Sequence, residues 1–316
     1  MSIYRNFTKV KVKGKAKVKR PYKHEDGACV EIASHRFPIL SSYAYLGGAR
    51  VDRIELLTTH PKIDVMLDSG AFTAYTSGKP INLDTYIKFC HEWEGKLWGY
   101  VNLDVIKNPK ATYENFLEMR KQGLNPIPVC TTGSKEKQVK QMAEMAGLIM
   151  FGGIKGTSIG TKEAIKLRTS WVGKTPVHWL GYADEPMMRA FKPYSVDVTT
   201  WQQAMRFGRV NVYLGAGRWI RLTRWEHCTD NKPIPSIAYR VIESAGFTKS
   251  DIKNPTKWSI SKKYGIFDDC LASVMIRSWV QYSLEFAERF GTRIFLAGVG
   301  SCYEADDCVI KWIEKL

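Results

Sequence analysis

The chain has 316 residues, 44% of them apolar and 25% charged, with a formal charge of +16. That length and composition exclude a small disulfide-stapled scaffold and a disordered chain, and they suit one large α/β domain with additions or two smaller domains. No run of about 18 apolar residues offers a transmembrane helix, and the basic N-terminus lacks the apolar stretch of a secretory signal, so a cytoplasmic protein with no membrane contact is expected.

The first segment is where much of the charge sits. Lys9, Lys11, Lys13, Lys15, Lys17, Lys19 and Arg20 interleave with Val10, Val12, Ala16 and Val18. In an extended strand this period-two pattern puts the basic groups on one face. Such a face suits an arm that tracks phosphates, since each phosphate neutralised releases a counterion. It equally describes a solvated edge strand that lysines keep from pairing. Residues 1–36 are therefore set apart as a basic extension.

From residue 37 onward, short apolar runs alternate with amphipathic ones. The predicted strands are Phe37–Tyr45, Asp64–Asp68, Trp98–Asp104, Asn125–Cys130, Leu148–Ile154, Pro176–Tyr182, Tyr194–Val198 and Arg293–Gly298. Between them, apolar residues recur three and four apart in Leu83–Glu94, Thr112–Lys121, Glu136–Met145, Lys162–Trp171, Glu185–Ala190 and Trp201–Phe207. Asn82 and Ser134 stand where helices begin and have good capping side chains. Gly95, Gly123 and Gly147 stand where helices end. Strands alternating with helices imply a parallel sheet, and eight repeats favour a (β/α)8 TIM barrel over residues 37–316. The alternative is an open doubly wound sheet, but no Gly-x-Gly-x-x-Gly follows the first strand. Residues 208–290 break the rhythm with a hairpin over Val210–Leu222 and a long helix over Asp269–Phe290. They read as an insertion before the last strand.

Seven cysteines, Cys29, Cys90, Cys130, Cys228, Cys270, Cys302 and Cys308, are widely spaced and include no Cys-x-x-Cys pair. Free thiols are expected, with no structural zinc.

In a barrel of this kind the chemistry lies at the C-terminal ends of the strands. Three of those ends carry aspartates: Asp68, Asp104 and Asp197. One aspartate there is as well explained by a strand-end cap or a lysine partner. Three from three strands is the arrangement glycosyl transfer uses, one carboxylate attacking or stabilising a sugar cation while another moves the leaving group's proton. His178, beside Trp179, reads either as a pocket residue or as a packed, hydrogen-bonded neighbour.

These residues carry a resemblance. Asp68-Ser69-Gly70-Ala71-Phe72 resembles the Asp-Ser-Gly-Gly-Phe signature of the tRNA-guanine transglycosylases. Phe151-Gly152-Gly153-Ile154 resembles their Gly-Gly-Leu base-binding loop, and Leu180-Gly181 their Met-Gly-Val-Gly turn. Ser195-Val196-Asp197 resembles the strand bearing their nucleophile. Order and spacing agree over about residues 37–205, and the compact chain is most similar to the phage and bacterial enzymes that act on DNA. Two features depart from the pattern. The Cys-x-Cys-x-x-Cys cluster of the tRNA enzymes is missing, and Thr73 stands where their signature continues with glutamine.

The resemblance implies exchange of guanine in nucleic acid, DNA favoured over tRNA, for a free 7-deazaguanine base without a cofactor. It makes Asp197 the nucleophile and Asp68 the proton carrier. Asp104 would accept hydrogen bonds from the base's amine and ring N–H, whose two donors suit a carboxylate. Ser69, Gly70, Phe72, Gly152, Gly153, Trp179, Gly181 and Tyr182 would line the base site. The aromatics Tyr75, Phe72, Trp179 and Tyr182 are candidates to stack on the base, though each is as well explained as core.

Overall fold

The computed structural model describes residues 36–46, 51–201, 207–258, 270–298 and 303–315. The basic run Lys9–Arg20 lies outside them, as do Cys29, Cys302 and most of the helix expected over Trp201–Phe207. The described residues form two compact units, one of residues 36–199 with 286–298, the other of residues 200–285 with 303–315.

The first unit is an all-parallel sheet alternating with helices. In chain order it comprises β1 (Phe37–Ser42), α1 (Tyr43–Leu46), α2 (Val51–Thr59), β2 (Ile63–Asp68), α3 (Ala71–Ser77) and α4 (Leu83–Trp93). There follow β3 (Gly99–Tyr100), α5 (Pro109–Lys121), β4 (Val129–Cys130), α6 (Glu136–Met145), β5 (Ile149–Phe151) and α7 (Thr161–Val172). Then come β6 (Val177–Trp179), α8 (Glu185–Phe191) and β7 (Ser195–Val198), and β10 (Arg293–Ala297) completes the sheet. Every predicted strand overlaps one of these eight, in the order β3-β2-β1-β10-β7-β6-β5-β4.

Side chains alternate across each strand, so one face fills the inside of the curl and the other meets the helices. On β2, Met66 packs inward with Leu40, Met150 and Phe295. Its neighbour Leu67 packs outward with Tyr86, Cys90 and Trp93 of α4. At the N-terminal end of the curl, Asp64 of β2 pairs with Arg293 of β10 at 2.6 Å, and the Arg293 guanidinium lies 5.4 Å from the Trp98 ring. Asp64 and Asp68 are thus on the same face of one strand, one consumed by a buried ion pair and the other carried to the opposite end.

The sheet is parallel and curled, but it is not the closed (β/α)8 TIM barrel expected from the sequence, because its edge strands β3 and β4 are not joined by a ladder. They meet at one parallel bridge, Val101 with Ile127. Ile127 N–H donates to Tyr100 C=O at 2.8 Å, and Asn102 N–H donates to Ile127 C=O at 3.0 Å. The ladder stops because side chains take the flanking amides on this edge: Asn125 N–H donates to Tyr100 Oη at 2.7 Å, whereas prolines 126 and 128 fall on the β5 side, where Pro128 C=O accepts from Met150 N–H. Beyond the bridge a side chain takes over. The buried Asn102 accepts from Val129 N–H through Oδ1 at 2.8 Å and donates through Nδ2 to Thr112 C=O at 3.0 Å.

Local capping follows the sequence in part. Asn82 caps α4 by accepting from Thr85 N–H. Ser134 does not cap α6, a correction to the expectation. Its Oγ accepts from Thr131 N–H, tightening the β4–α6 turn, and the helix begins after Lys135 without a side-chain cap.

The second unit begins near residue 200, somewhat before the expected insertion. It contains the antiparallel hairpin β8 (Arg209–Tyr213) and β9 (Trp219–Thr223), α9 (Ser236–Ser244), α10 (Lys249–Lys253), most of α11 (Ala272–Phe290), and α12 (Tyr303–Lys315). One hairpin face, Val210, Val212 and Leu222, is buried. The C-terminal helix belongs here rather than to the sheet, because Trp312 Nε1 of α12 donates to Ser273 Oγ of α11 at 3.1 Å and Arg277 lies over the same indole. No helix among the described residues is long and apolar enough to cross a membrane. Cys90, Cys130, Cys228, Cys270 and Cys308 are free thiols.

Candidate active site

A parallel sheet delivers the C-terminal ends of all its strands to one rim, so Asp68, Asp104 and Asp197 share that rim by topology. The turn after β2 is built around Gly70. Its φ of 82° is left-handed, and a Cβ there would lie 2.6 Å from Ala44 Cβ, so only glycine lets the β2 turn pack on α1. Gly70 N–H donates to Asp68 Oδ2 at 2.9 Å, and the buried Ser69 hydroxyl donates to Asp104 Oδ1 at 2.7 Å. One tripeptide therefore fixes two of the three carboxylates. Asp104 is held from the other side as well, since Asn115 Nδ2 donates to Leu103 C=O and Thr112 Oγ1 accepts from Val105 N–H.

These carboxyls sense one another. Burial pushes Asp68 up to about 7, and the neighbouring charges of Asp104 and, more weakly, Asp197 add to the rise. Asp104 is raised too, chiefly by burial and against the Ser69 hydrogen bond. Asp68 thus changes protonation near neutrality, where a group that must both give and take a proton works best.

Asp197 is almost completely buried and differently supported. Its Oδ1 accepts from Gly181 N–H at 2.7 Å and lies 3.2 Å from His178 Nε2. The other ring nitrogen, Nδ1, lies 2.8 Å from Ser195 Oγ. His178 and Ser195 face inward from β6 and β7 for the same reason as Asp197, the period of two along each strand. Ser195 sits below the histidine, away from the rim, so this is a chain that orients Asp197 rather than a serine nucleophile's triad. Oδ1 is doubly engaged, and Oδ2 has no protein partner among the described residues.

The Gly152–Gly153 loop after β5 is positioned by a residue that sequence reasoning missed. Arg168 of α7, only 5% exposed, donates from Nη1 to Gly152 C=O at 2.6 Å and from Nη2 to Thr132 Oγ1 at 3.1 Å. Thr132 Oγ1 in turn donates to Gly153 C=O at 3.0 Å. In a trans peptide the N–H points opposite to the C=O. With both carbonyls turned toward Arg168 and Thr132, the amides of Gly153 and Ile154 point the other way. Gly153 also has φ 57° and no room for a Cβ, which would stand 3.0 Å from Thr132 Oγ1.

Phe72 and Tyr75 project from α3 and are exposed. Tyr182 is largely buried, with Lys155 Nζ 5.3 Å from its ring centre. Trp179 corrects an expectation. Because His178 faces inward, Trp179 faces the helices, 1% exposed against Tyr182 and Phe191, and its ring is not available to stack on a ligand. Among the described residues, no group of three or more His, Cys, Asp and Glu side chains is placed to share a metal ion.

The unit is thus a parallel α/β sheet with three carboxylates on its active rim. No family model matches the chain, and no curated protein matches it.

Proposed function

We propose that the chain is a base-exchanging glycosyltransferase that replaces guanine in DNA by a 7-deazaguanine, working on a barrel-like (β/α)8 sheet whose edge strands meet only at the Val101–Ile127 bridge. The observation that carries this reading is the carboxylate trio. Burial, with the charges of Asp104 and Asp197 added, pushes Asp68 up to about 7, while Asp197 is tethered through one oxygen and has no partner among the described residues at the other.

The chemistry follows from those states. A guanosine extruded from the base stack enters the mouth, at a cost of roughly a few kcal/mol. Asp197 Oδ2 attacks C1′, the bond from C1′ to N9 breaks, and its electron pair leaves with the base. Asp68, in its protonated form, gives the departing guanine its proton. The incoming 7-deazaguanine then attacks C1′ of the aspartyl ester through its ring nitrogen, returns a proton to Asp68 and frees the Asp197 carboxylate. Two inversions retain the anomeric configuration. Asp104 accepts from the amine and ring N–H of the base, and the Gly153 and Ile154 amides face its exocyclic oxygen. Phe72, Tyr75 and Tyr182 are the aromatics left to stack on it. DNA is favoured over tRNA because the chain lacks the Cys-x-Cys-x-x-Cys cluster of the tRNA enzymes.

The test incubates the protein with duplex DNA, single-stranded DNA and tRNA, each with labelled guanine or a 7-deazaguanine, and identifies the nucleosides after digestion. Label is expected in DNA with the wild type and absent with Asp197→Ala, which still binds the nucleic acid. Label in tRNA alone reassigns the substrate. No label in any of the three removes the proposal.

A further inference from the structure

The second unit displays two large aromatic side chains that its own core does not use. Phe207 is 71% exposed and Trp225 is 68% exposed. They stand at the open end of the hairpin. Arg209 pairs with Thr223, and Arg224 N–H donates to Gly208 C=O at 2.8 Å, so Phe207 precedes and Trp225 follows the last bonded rung. The Arg209 guanidinium lies 5.7 Å from the Phe207 ring centre.

Trp225 is held out by local structure. It opens a five-residue π-helix, Trp225–Thr229, a rare form that frequently marks functional sites. Buried His227 anchors that turn, its Nδ1 lying 3.0 Å from Thr223 C=O and its ring stacked on Trp258.

Charge completes the surface. From Phe207 to Trp225 the sequence holds four arginines, Arg209, Arg218, Arg221 and Arg224, and no acidic residue. All four are exposed, and the register puts Arg209, Asn211, Arg221 and Thr223 on one hairpin face, opposite the buried valines. The adjacent Glu226 is engaged by Lys232 at 2.6 Å. Single exposed aromatics need no explanation, but two at one hairpin end beside guanidinium groups that make no ion pair among the described residues do.

We propose that this hairpin end binds a single strand of nucleic acid, with unpaired bases stacking on Phe207 and Trp225 and the arginines tracking the phosphates. Aromatic faces serve unpaired bases, which a closed duplex does not offer, and guanidinium groups both stack and pair with phosphate. The surface lies outside the carboxylate unit and does not depend on the exchange reaction.

The experiment measures binding of the full chain to a labelled single-stranded oligonucleotide and to the matching duplex over a range of salt. Phe207→Ala with Trp225→Ala is expected to weaken single-strand binding at least tenfold without changing the salt slope, since each stacked base is worth roughly 1–3 kcal/mol and releases no counterion. Arg209→Gln, Arg221→Gln and Arg224→Gln together are expected to flatten the slope by about 2, at about 0.7 per phosphate contact on a single strand. Trp225→Phe should keep the affinity and lose the stacking-induced fluorescence quenching, which separates stacking from misfolding. The proposal is overturned if the double alanine variant binds like the wild type. It is overturned equally if a polyglutamate peptide competes as well as the oligonucleotide, which would make the surface a site for acidic proteins. If binding depends on these residues but no base exchange occurs, the carboxylate reading fails and this surface stands.

Discussion

Asp68→Asn should stabilise the protein at alkaline pH, and the gain should disappear as the solution is acidified. In the fold, the Asp68 carboxyl is raised from 3.8 to about 7. A carboxyl with a raised folded pKa supports the fold fully below its unfolded value, and that support is lost as pH rises through the folded value. Each pH unit of the shift corresponds to about 1.36 kcal/mol, so the full penalty of ionising Asp68 is on the order of 4 kcal/mol. The side chain is partly exposed, and solvent screening reduces this to about 2 kcal/mol. Asparagine keeps the shape and still accepts from Gly70 N–H, but it never ionises. Urea denaturation of both proteins at a series of pH values should show the advantage of Asp68→Asn growing by about 1–2.5 kcal/mol from about pH 5 to about pH 8. For a unit of this size that is a difference of several degrees in Tm at about 2–4 °C per kcal/mol. A constant gap across the range, or a variant less stable than wild type at about pH 8, would refute the reasoning, because either would mean that Asp68 ionises in the fold without penalty.

Three further outcomes follow from the same geometry. Asp104→Asn removes the largest charge acting on Asp68, so the Asp68 titration should move toward acid, read directly by carbon NMR of the labelled carboxyl; an unmoved titration would mean the two do not share a site. Asn102→Ala leaves Val129 N–H and Thr112 C=O buried without partners and should cost roughly 2–4 kcal/mol in denaturation, at about 1–3 kcal/mol per orphaned group. Arg168→Gln frees the Gly152 and Gly153 carbonyls and should raise the KM for the free base more than it lowers kcat, with the preference for guanine over 2-aminopurine diminished, because the latter lacks the oxygen the loop amides face.

The strands were legible because each is a short apolar run between turn residues, and the rim aspartates were legible because parallel strands align their ends. The support around them was not. Arg168 sits in an ordinary amphipathic helix, and nothing local marks carbonyls 15 and 16 residues away as its targets. Asp64 and Asp68 share one face of β2, and the ion pairs of Asp64 with Arg36 and with Arg293, distant by 229 positions, tell the structural carboxylate from the other. Trp179 was a different failure, since strand alternation already forbids His178 and its neighbour from facing the same side. The uneven seam had no such local sign, since prolines 126 and 128 face β5 and the amides of Asn125 and Val129 go instead to the side chains of Tyr100 and Asn102.

That seam links shape to occupancy. A single amide side chain, that of Asn102, both fastens the two edge strands together and, through Thr112, braces the loop that presents Asp104. A ligand that gripped Asp104 from the rim would thus bear on the same side chain that fastens those strands, and by reciprocity a loosening there would weaken the grip.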